Sequence, residues 1–137
     1  MKICEWQIGD SVSIASLDTQ HQKLFDIFNE LFTLMDKNAE DQEIIKALAG
    51  LVEYAQYHFR EEEAVMEKMH YPDLLAHQQE HQDFVKVVKD FHSEAQNARA
   101  LFVALRAANT GASWLKNHIH AVDFKYTEYM KKQGLQL

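Results

Sequence analysis

Cysteine is almost missing from this 137-residue chain: Cys4 stands alone, so no internal disulfide can form and the fold has to hold without covalent cross-links. Proline occurs once, at Pro72, and glycine four times. That scarcity excludes a collagen-like or disordered chain, and it excludes an all-β fold, which needs many turns. Basic residues are in deficit as well. Fourteen Lys and Arg against 21 Asp and Glu leave a formal net charge of −7, without the cationic excess that neutralises nucleic-acid phosphates. No segment approaches the roughly 18 uncharged apolar residues of a membrane span, and Met1–Lys2–Ile3–Cys4–Glu5 lacks the apolar run of a signal peptide. These absences predict a cytoplasmic protein with no nucleic-acid partner and no membrane insertion. The length matches a single domain over 1–137, since domains most often run to about 100–150 residues.

What the chain does have is helical periodicity and histidine. Residues 1–17 read as an extended arm, with Trp6, Ile8, Val12 and Ile14 alternating around a turn at Gly9–Asp10 and packing on the domain. From Thr19 the apolar spacing changes to three and four, through Leu24, Phe25, Phe28, Phe32 and Met35. Thr19 and Gln22 form a capping-box pattern at its start, and the helix ends near Lys37–Asn38. A second stripe runs Ile44, Leu48, Leu51, Ala55, His58, Glu62, Val65, Met69. Pro72 suits the first turn of a third helix, whose stripe is Leu74, His77, His81, Phe84, Val88, Phe91 and Ala95. The fourth run is Leu101, Leu105, Ala108, Ala112, Leu115, Ile119, Val122 and Tyr126, one long helix that Asn109–Thr110–Gly111 is predicted to weaken or bend. Four helices with short connections predict an all-α fold, an antiparallel up-and-down four-helix bundle over 18–131 with an extended N-terminal arm.

Eight histidines in a small acidic chain are unusual, and five of them share core-facing or bundle-interior positions with two carboxylates. Burying such groups is costly unless they are paired or bound to metal. His58 and Glu62 are four apart on the second helix, and His77 and His81 four apart on the third, so each pair points one way and can chelate. His118 and Asp123 are five apart, about 140° around an ideal helix, too divergent to share one direction but able to grip a wide two-ion centre from either side. His21 comes from the first helix. Measured from the end where the helices join near 37–40 and 96–98, all seven fall about 14 to 25 residues away, a spread of about 16 Å at ~1.5 Å per residue. Five imidazoles and two carboxylates exceed one tetrahedral zinc, and the mixed set suits a pair of irons better than calcium or magnesium, which favour oxygen cages. With only two carboxylates the centre is less anionic than ferritin-like sites, which predicts that it holds dioxygen and releases it without cleaving it. Glu61 and Glu63, and His70, His92 and His120, read as solvent-exposed, Cys4 as an inert arm residue, and Met66 and Met69 as core.

The stretches Asp18–Thr19–Gln20–His21, His58–Phe59–Arg60–Glu61–Glu62–Glu63, His77–Gln78–Gln79–Glu80–His81, Trp114–Leu115–Lys116–Asn117–His118–Ile119 and Asp123–Phe124–Lys125–Tyr126, with Trp6 ahead of them, cover nearly the whole chain. In these the sequence resembles the hemerythrin family, and within it the single-domain bacterial hemerythrins. The resemblance implies one iron held by His77, His81 and His118, a second by His21 and His58, and Glu62 and Asp123 bridging them. Phe59, Leu115 and Ile119 match apolar residues that line the family's dioxygen pocket. It further implies an oxo- or hydroxo-bridged non-haem di-iron cofactor. Dioxygen is then the ligand, bound reversibly at the two-histidine iron for oxygen carriage, storage or delivery, with no enzymatic turnover and with a redox or oxygen-consuming partner protein. An oxygen- or redox-sensing module, and a di-iron enzyme consuming peroxide or nitric oxide, would use the same ligands, and both stay open at this point. The oligomeric state is not implied.

Overall fold

The computed structural model describes residues 2–135. After a short 3-10 turn at Ile8–Asp10 come α1 (Ala15–Asp36), α2 (Asp41–Lys68), α3 (Leu74–Asn97) and α4 (Ala100–His118); a π-helical turn, Ile119–Asp123, then leads without a break into α5 (Phe124–Lys132). α4, the π-turn and α5 together make the fourth rod of a four-helix bundle, and the connections of a few residues force each rod to run antiparallel to the one before. α2 packs most closely on α3, and α1 on α4. The predicted stripes line the core: Leu24, Phe25 and Phe28 from α1, Ile44, Leu48 and Leu51 from α2, Phe84 and Val88 from α3, and Leu115 with Tyr126 from the fourth rod are all buried. Met66 in α2 and Met69 just past its end are buried, while Val65 is only half-buried. No helix among the described residues is long and apolar enough to cross a membrane.

The first helix begins earlier than the Thr19 capping pattern predicts. Thr19 lies inside α1, and its hydroxyl donates back to the Ala15 carbonyl at 3.0 Å. The group that ties off the helix start is Asp18, whose carboxylate accepts from the Val12 N–H at 2.8 Å and from the Ser11 hydroxyl at 2.6 Å. An acid in the first turn is favoured there by the helix dipole, and burial of Ile14 and Leu17 draws the helix upstream. The arm is likewise not uniformly extended: Val12 and Ile14 are buried, but Ile8 sits on the 3-10 turn and is 84% exposed. That turn buries Asp10 instead, which accepts from the Gln7 N–H at 2.8 Å and contacts Lys116 Nζ at 2.8 Å and His120 Nε2 at 2.6 Å. Burial alone would raise the Asp10 carboxyl, but the hydrogen bonds from Lys116, Gln7 and His120 hold it below the ordinary carboxylate range. His120 is exposed, as the sequence predicts, and in addition clasps the arm to the fourth rod through Asp10. The arm's other end is pinned by Asn29, which accepts from the N–H groups of Ile3 and Cys4 at 2.8 and 3.2 Å. Burial raises the Cys4 thiol to about 11, so it stays protonated and unreactive.

Asn109–Thr110–Gly111 does not interrupt the helix; α4 runs through it unbroken. Gly111 is buried against α1, and a Cβ built there would overlap the ring of Phe28, itself fully buried. The glycine is there for close approach. Gly50, in the middle of α2, has nothing within 4 Å of its would-be Cβ. The two sites predict opposite outcomes for one substitution. Gly50→Ala should stabilise by about 0.5–1 kcal/mol through helix propensity. Gly111→Ala gains the same propensity but overpacks the core, at a cost of about 1–3 kcal/mol, so it should come out destabilised. Urea unfolding of both variants beside the parent checks the signs.

Candidate metal centre

The seven candidate ligands come together inside the bundle. His21 from α1, His58 and Glu62 from α2, His77 and His81 from α3, and His118 and Asp123 from the fourth rod are all at most 3% exposed. The long-range agreement in height tightens to atomic contact, in two groups. The ligand atoms of Glu62, His77, His81, His118 and Asp123 all lie within 4.8 Å of one another, as do those of His21, His58 and Glu62.

Two donors at right angles about one ion, each about 2.1 Å away, stand about 3 Å apart. The first group repeats that spacing. Glu62 Oε1 lies 3.2 Å from His77 Nε2 and 3.0 Å from His81 Nε2; Asp123 Oδ1 lies 2.9 Å from His77 Nε2 and 3.0 Å from His118 Nε2. His118 Nε2 is 3.2 Å from both His77 Nε2 and His81 Nε2. Three nitrogens on one face of an octahedron and two oxygens, each adjacent to two of the nitrogens, have this pattern of neighbours. The second group uses the other oxygens of the same carboxylates: His21 Nε2 is 3.3 Å from Glu62 Oε2 and 3.4 Å from Asp123 Oδ2, and His58 Nε2 is 3.5 Å from Glu62 Oε2. Glu62 and Asp123 thus face both groups, which offer five and four protein donors against the six of an octahedron.

The alignment of these atoms tests whether they merely pair with one another. His21 Nε2, His58 Nε2 and both Asp123 oxygens are buried without a hydrogen-bond partner, although oppositely polar atoms lie this close. Atoms at contact distance that do not aim at each other, in a site that cannot leave polar groups unsatisfied, fit a shared metal ion. Outer partners set the tautomers of two of the five histidines. His58 Nδ1–H donates to Gln20 Oε1 at 2.7 Å and His81 Nδ1–H to Glu63 Oε2 at 2.7 Å, leaving each Nε2 lone pair facing inward. The Tyr126 hydroxyl donates to Glu62 Oε2 at 3.0 Å.

Sequence reading missed three of these roles. Glu63 is half-buried and holds His81, not solvated like Glu61, because on α2 it stands next to the stripe on the side facing α3. Gln20 is buried beside His21, and Tyr126, expected as plain core, carries a polar handle into the site. A local departure from α geometry explains the most consequential difference. His118 and Asp123 do point the same way, since the π-turn between them takes up one extra residue and returns Asp123 to the face of His118. Among the apolar candidates, the Phe59 ring stacks on His81 with centroids 3.9 Å apart and tilted by 7°, and lies 5.6 Å from the His58 ring. Leu115 and Ile119, on either side of His118, are buried. His70 is exposed, and His92, half-buried, faces Gln96.

Without metal these charges hold one another. Burial alone would drive the proton off His21, but Asp123 and Glu62 outweigh it and raise the imidazole to about 10; the same pair raises His77 to about 9. At His58 burial prevails and the pKa is lowered. Glu62 is pulled well below its ordinary range, against burial, by the four imidazoles around it, and Asp123 is lowered, against burial and Glu62, by His118 and His21. A histidine raised above its unfolded value of about 6.5 contributes stability that is complete below that pH and drains away as pH climbs toward the folded value. The lowered carboxylates contribute above about pH 4 and lose that contribution below it. His58, lowered by burial, costs stability below about pH 6.5, so metal-free protein should melt highest near pH 6 and progressively lower toward pH 10. Metal ligation needs deprotonated imidazoles, so the extra stability conferred by metal should grow over the same interval. Thermal melts with and without metal at each pH show whether the two trends oppose.

Comparison with known proteins agrees with this geometry. A family model described as hemerythrin HHE cation binding domain matches residues 12–129. Myohemerythrin of Riftia pachyptila is 32% identical over 121 residues, covering 88% of each chain, and bacteriohemerythrin of Methylococcus capsulatus is 33% identical over 129 residues, covering 92% of this chain and 95% of its own. A crystal structure of wild-type hemerythrin superimposes with a TM-score of 0.78 at 29% identity, covering 92% of this chain and 96% of that one. Fold, cluster and sequence agree, and the chain belongs to the hemerythrin family.

Proposed function

We propose that the chain binds dioxygen reversibly at a non-haem di-iron centre, as a carrier, store or donor of oxygen and not as an enzyme. His77, His81 and His118 would hold one iron, His21 and His58 the other, and Glu62 and Asp123 would serve both. The single observation that carries this reading is the division of the two carboxylates, with Glu62 Oε1 and Asp123 Oδ1 on the three-histidine side and Glu62 Oε2 and Asp123 Oδ2 on the two-histidine side. An iron pair held there would supply the reversible electron exchange that dioxygen binding requires. The chain's own part is to keep that exchange closed. Phe59, Leu115 and Ile119 are all nearly inaccessible to solvent and would exclude water, whose protons would otherwise carry off reduced oxygen. Tyr126 anchors Glu62 on the side with fewer protein donors. Gln20 and Glu63 keep His58 and His81 in the ligating tautomer.

The test is to load the protein with iron, reduce it without air, admit air and follow visible absorption. A band that appears with air and fades under argon through repeated cycles is the expected result. A band that never reverses, or steady consumption of oxygen or peroxide with a reductant, would replace the carrier with an enzyme.

A further inference from the structure

A second feature of the bundle is open to solvent. Between α2 and α3 lies a cleft of about 500 Å³, inside the range of cavities that hold organic ligands. Its apolar lining is the half-buried Val85 at the wall and, at the floor, the edge of the otherwise buried Phe59. His81 lines it too, under the parallel ring of Phe59, and so does Glu63, the acceptor for His81 Nδ1–H. Its α2 side reaches from Gln56 to Glu63, about 10 Å at ~1.5 Å per residue. Three cations, Arg60, Lys86 and Lys89, line the cleft as well. Among the described residues none of the three has a carboxylate within 4.0 Å. The one acid in the lining, Glu63, is already engaged by His81. In a chain of net charge −7, three unpaired cations around one apolar trough run against the overall charge.

We propose that this cleft binds an organic anion with an elongated apolar body, laid against Phe59 and Val85, and one acidic head placed among Arg60, Lys86 and Lys89. An inorganic anion would leave the apolar walls wet, and a neutral apolar molecule would leave the cations unanswered. The bound molecule covers the Glu63–His81 pair and so touches the outer partner of a proposed iron ligand. The site itself is a property of the polypeptide and does not depend on the iron assignment.

The experiment titrates the metal-free full chain with 8-anilinonaphthalene-1-sulfonate and with N-phenyl-1-naphthylamine, which has the same rings without the sulfonate, reading fluorescence. The sulfonate is expected to bind once per chain and about tenfold or more tighter than the neutral dye. Lys86→Glu with Lys89→Glu should weaken the sulfonate about tenfold and leave the neutral dye within about twofold, whereas Lys131→Glu with Lys132→Glu, an equal charge change elsewhere, should leave both unchanged. Val85→Trp, which fills the trough, should displace both dyes. Equal affinity for the two dyes, equal loss from the two double variants, or indifference to Val85→Trp would overturn the proposal. So would displacement of the sulfonate by polyglutamate or sodium sulfate at the dye's own concentration, since the surface would then recognise charge alone.

Discussion

Glu62→Ala is expected to abolish binding of both metal ions, lowering iron from two per chain to less than one. No other side chain touches as many members of the cluster: His21, His58, His77 and His81 all lie within 3.0–3.5 Å of its oxygens, and Tyr126 donates to it. Removing it takes one oxygen from each group and half of the negative charge that offsets two divalent ions. It also takes the neighbouring negative charge from four buried imidazoles and the acceptor from the Tyr126 hydroxyl, a loss of the kind that costs about 3–5 kcal/mol when one partner of a buried pair is deleted. Because such a variant could fail to fold, Glu62→Gln is the companion. It keeps the volume and one carbonyl oxygen for Tyr126, but it carries no charge and its amide nitrogen cannot ligate, so it should fold and still hold at most one ion. Glu61→Ala, the exposed neighbour in the same acidic run, should keep two. Elemental analysis after iron loading, with far-UV circular dichroism for the fold, decides the matter. Two ions per chain in folded Glu62→Gln would show that Glu62 does not bridge.

The parts of this centre that were legible in the sequence are those where the backbone obeys the ideal helix. His58 with Glu62, and His77 with His81, sit four apart on unbroken α-helices, so a period of 3.6 is enough to aim them, and their place on apolar stripes is enough to bury them. Glu63 was hidden by its setting in Glu61–Glu62–Glu63. A run of acids reads as solvated unless one knows that α3 brings His81 within 2.7 Å of it. The packing role of Gly111 was hidden for a related reason: helix propensity is a local quantity, and only the nearness of Phe28 on α1 shows that the residue has no room for a side chain. The helix start was misplaced because Asp18 secures it by reaching back to the arm, which a forward-reading capping rule does not see.

The π-turn poses the sharpest test of how the fourth rod contributes. Inserting one alanine after Ala121 should remove Asp123 from both groups and cost most of the bound metal, while deleting Ala121 should cost little. On an α-helix five residues turn through about 500°, leaving the fifth about 140° away from the first, whereas four turn through about 400° and leave it only about 40° away. The turn at Ile119–Asp123 absorbs the surplus residue, which is why Asp123, Tyr126 and Met130 are buried on the side of His118 while Val122, on the regular stripe, is only half-buried. Deleting the exposed Ala121 lets the segment close as plain α-helix with the carboxylate four residues from His118, in much the same direction, and leaves His120 in place to meet Asp10. Insertion has no such outlet: either a second bulge forms in a packed helix, or everything from Asp123 onward rotates by about 100° and carries Tyr126 away from Glu62. Iron content, with far-UV circular dichroism to confirm that both variants fold, separates the two variants. Loss of metal on deletion equal to that on insertion would mean that the π geometry itself, and not just the direction it restores to Asp123, is what the site requires.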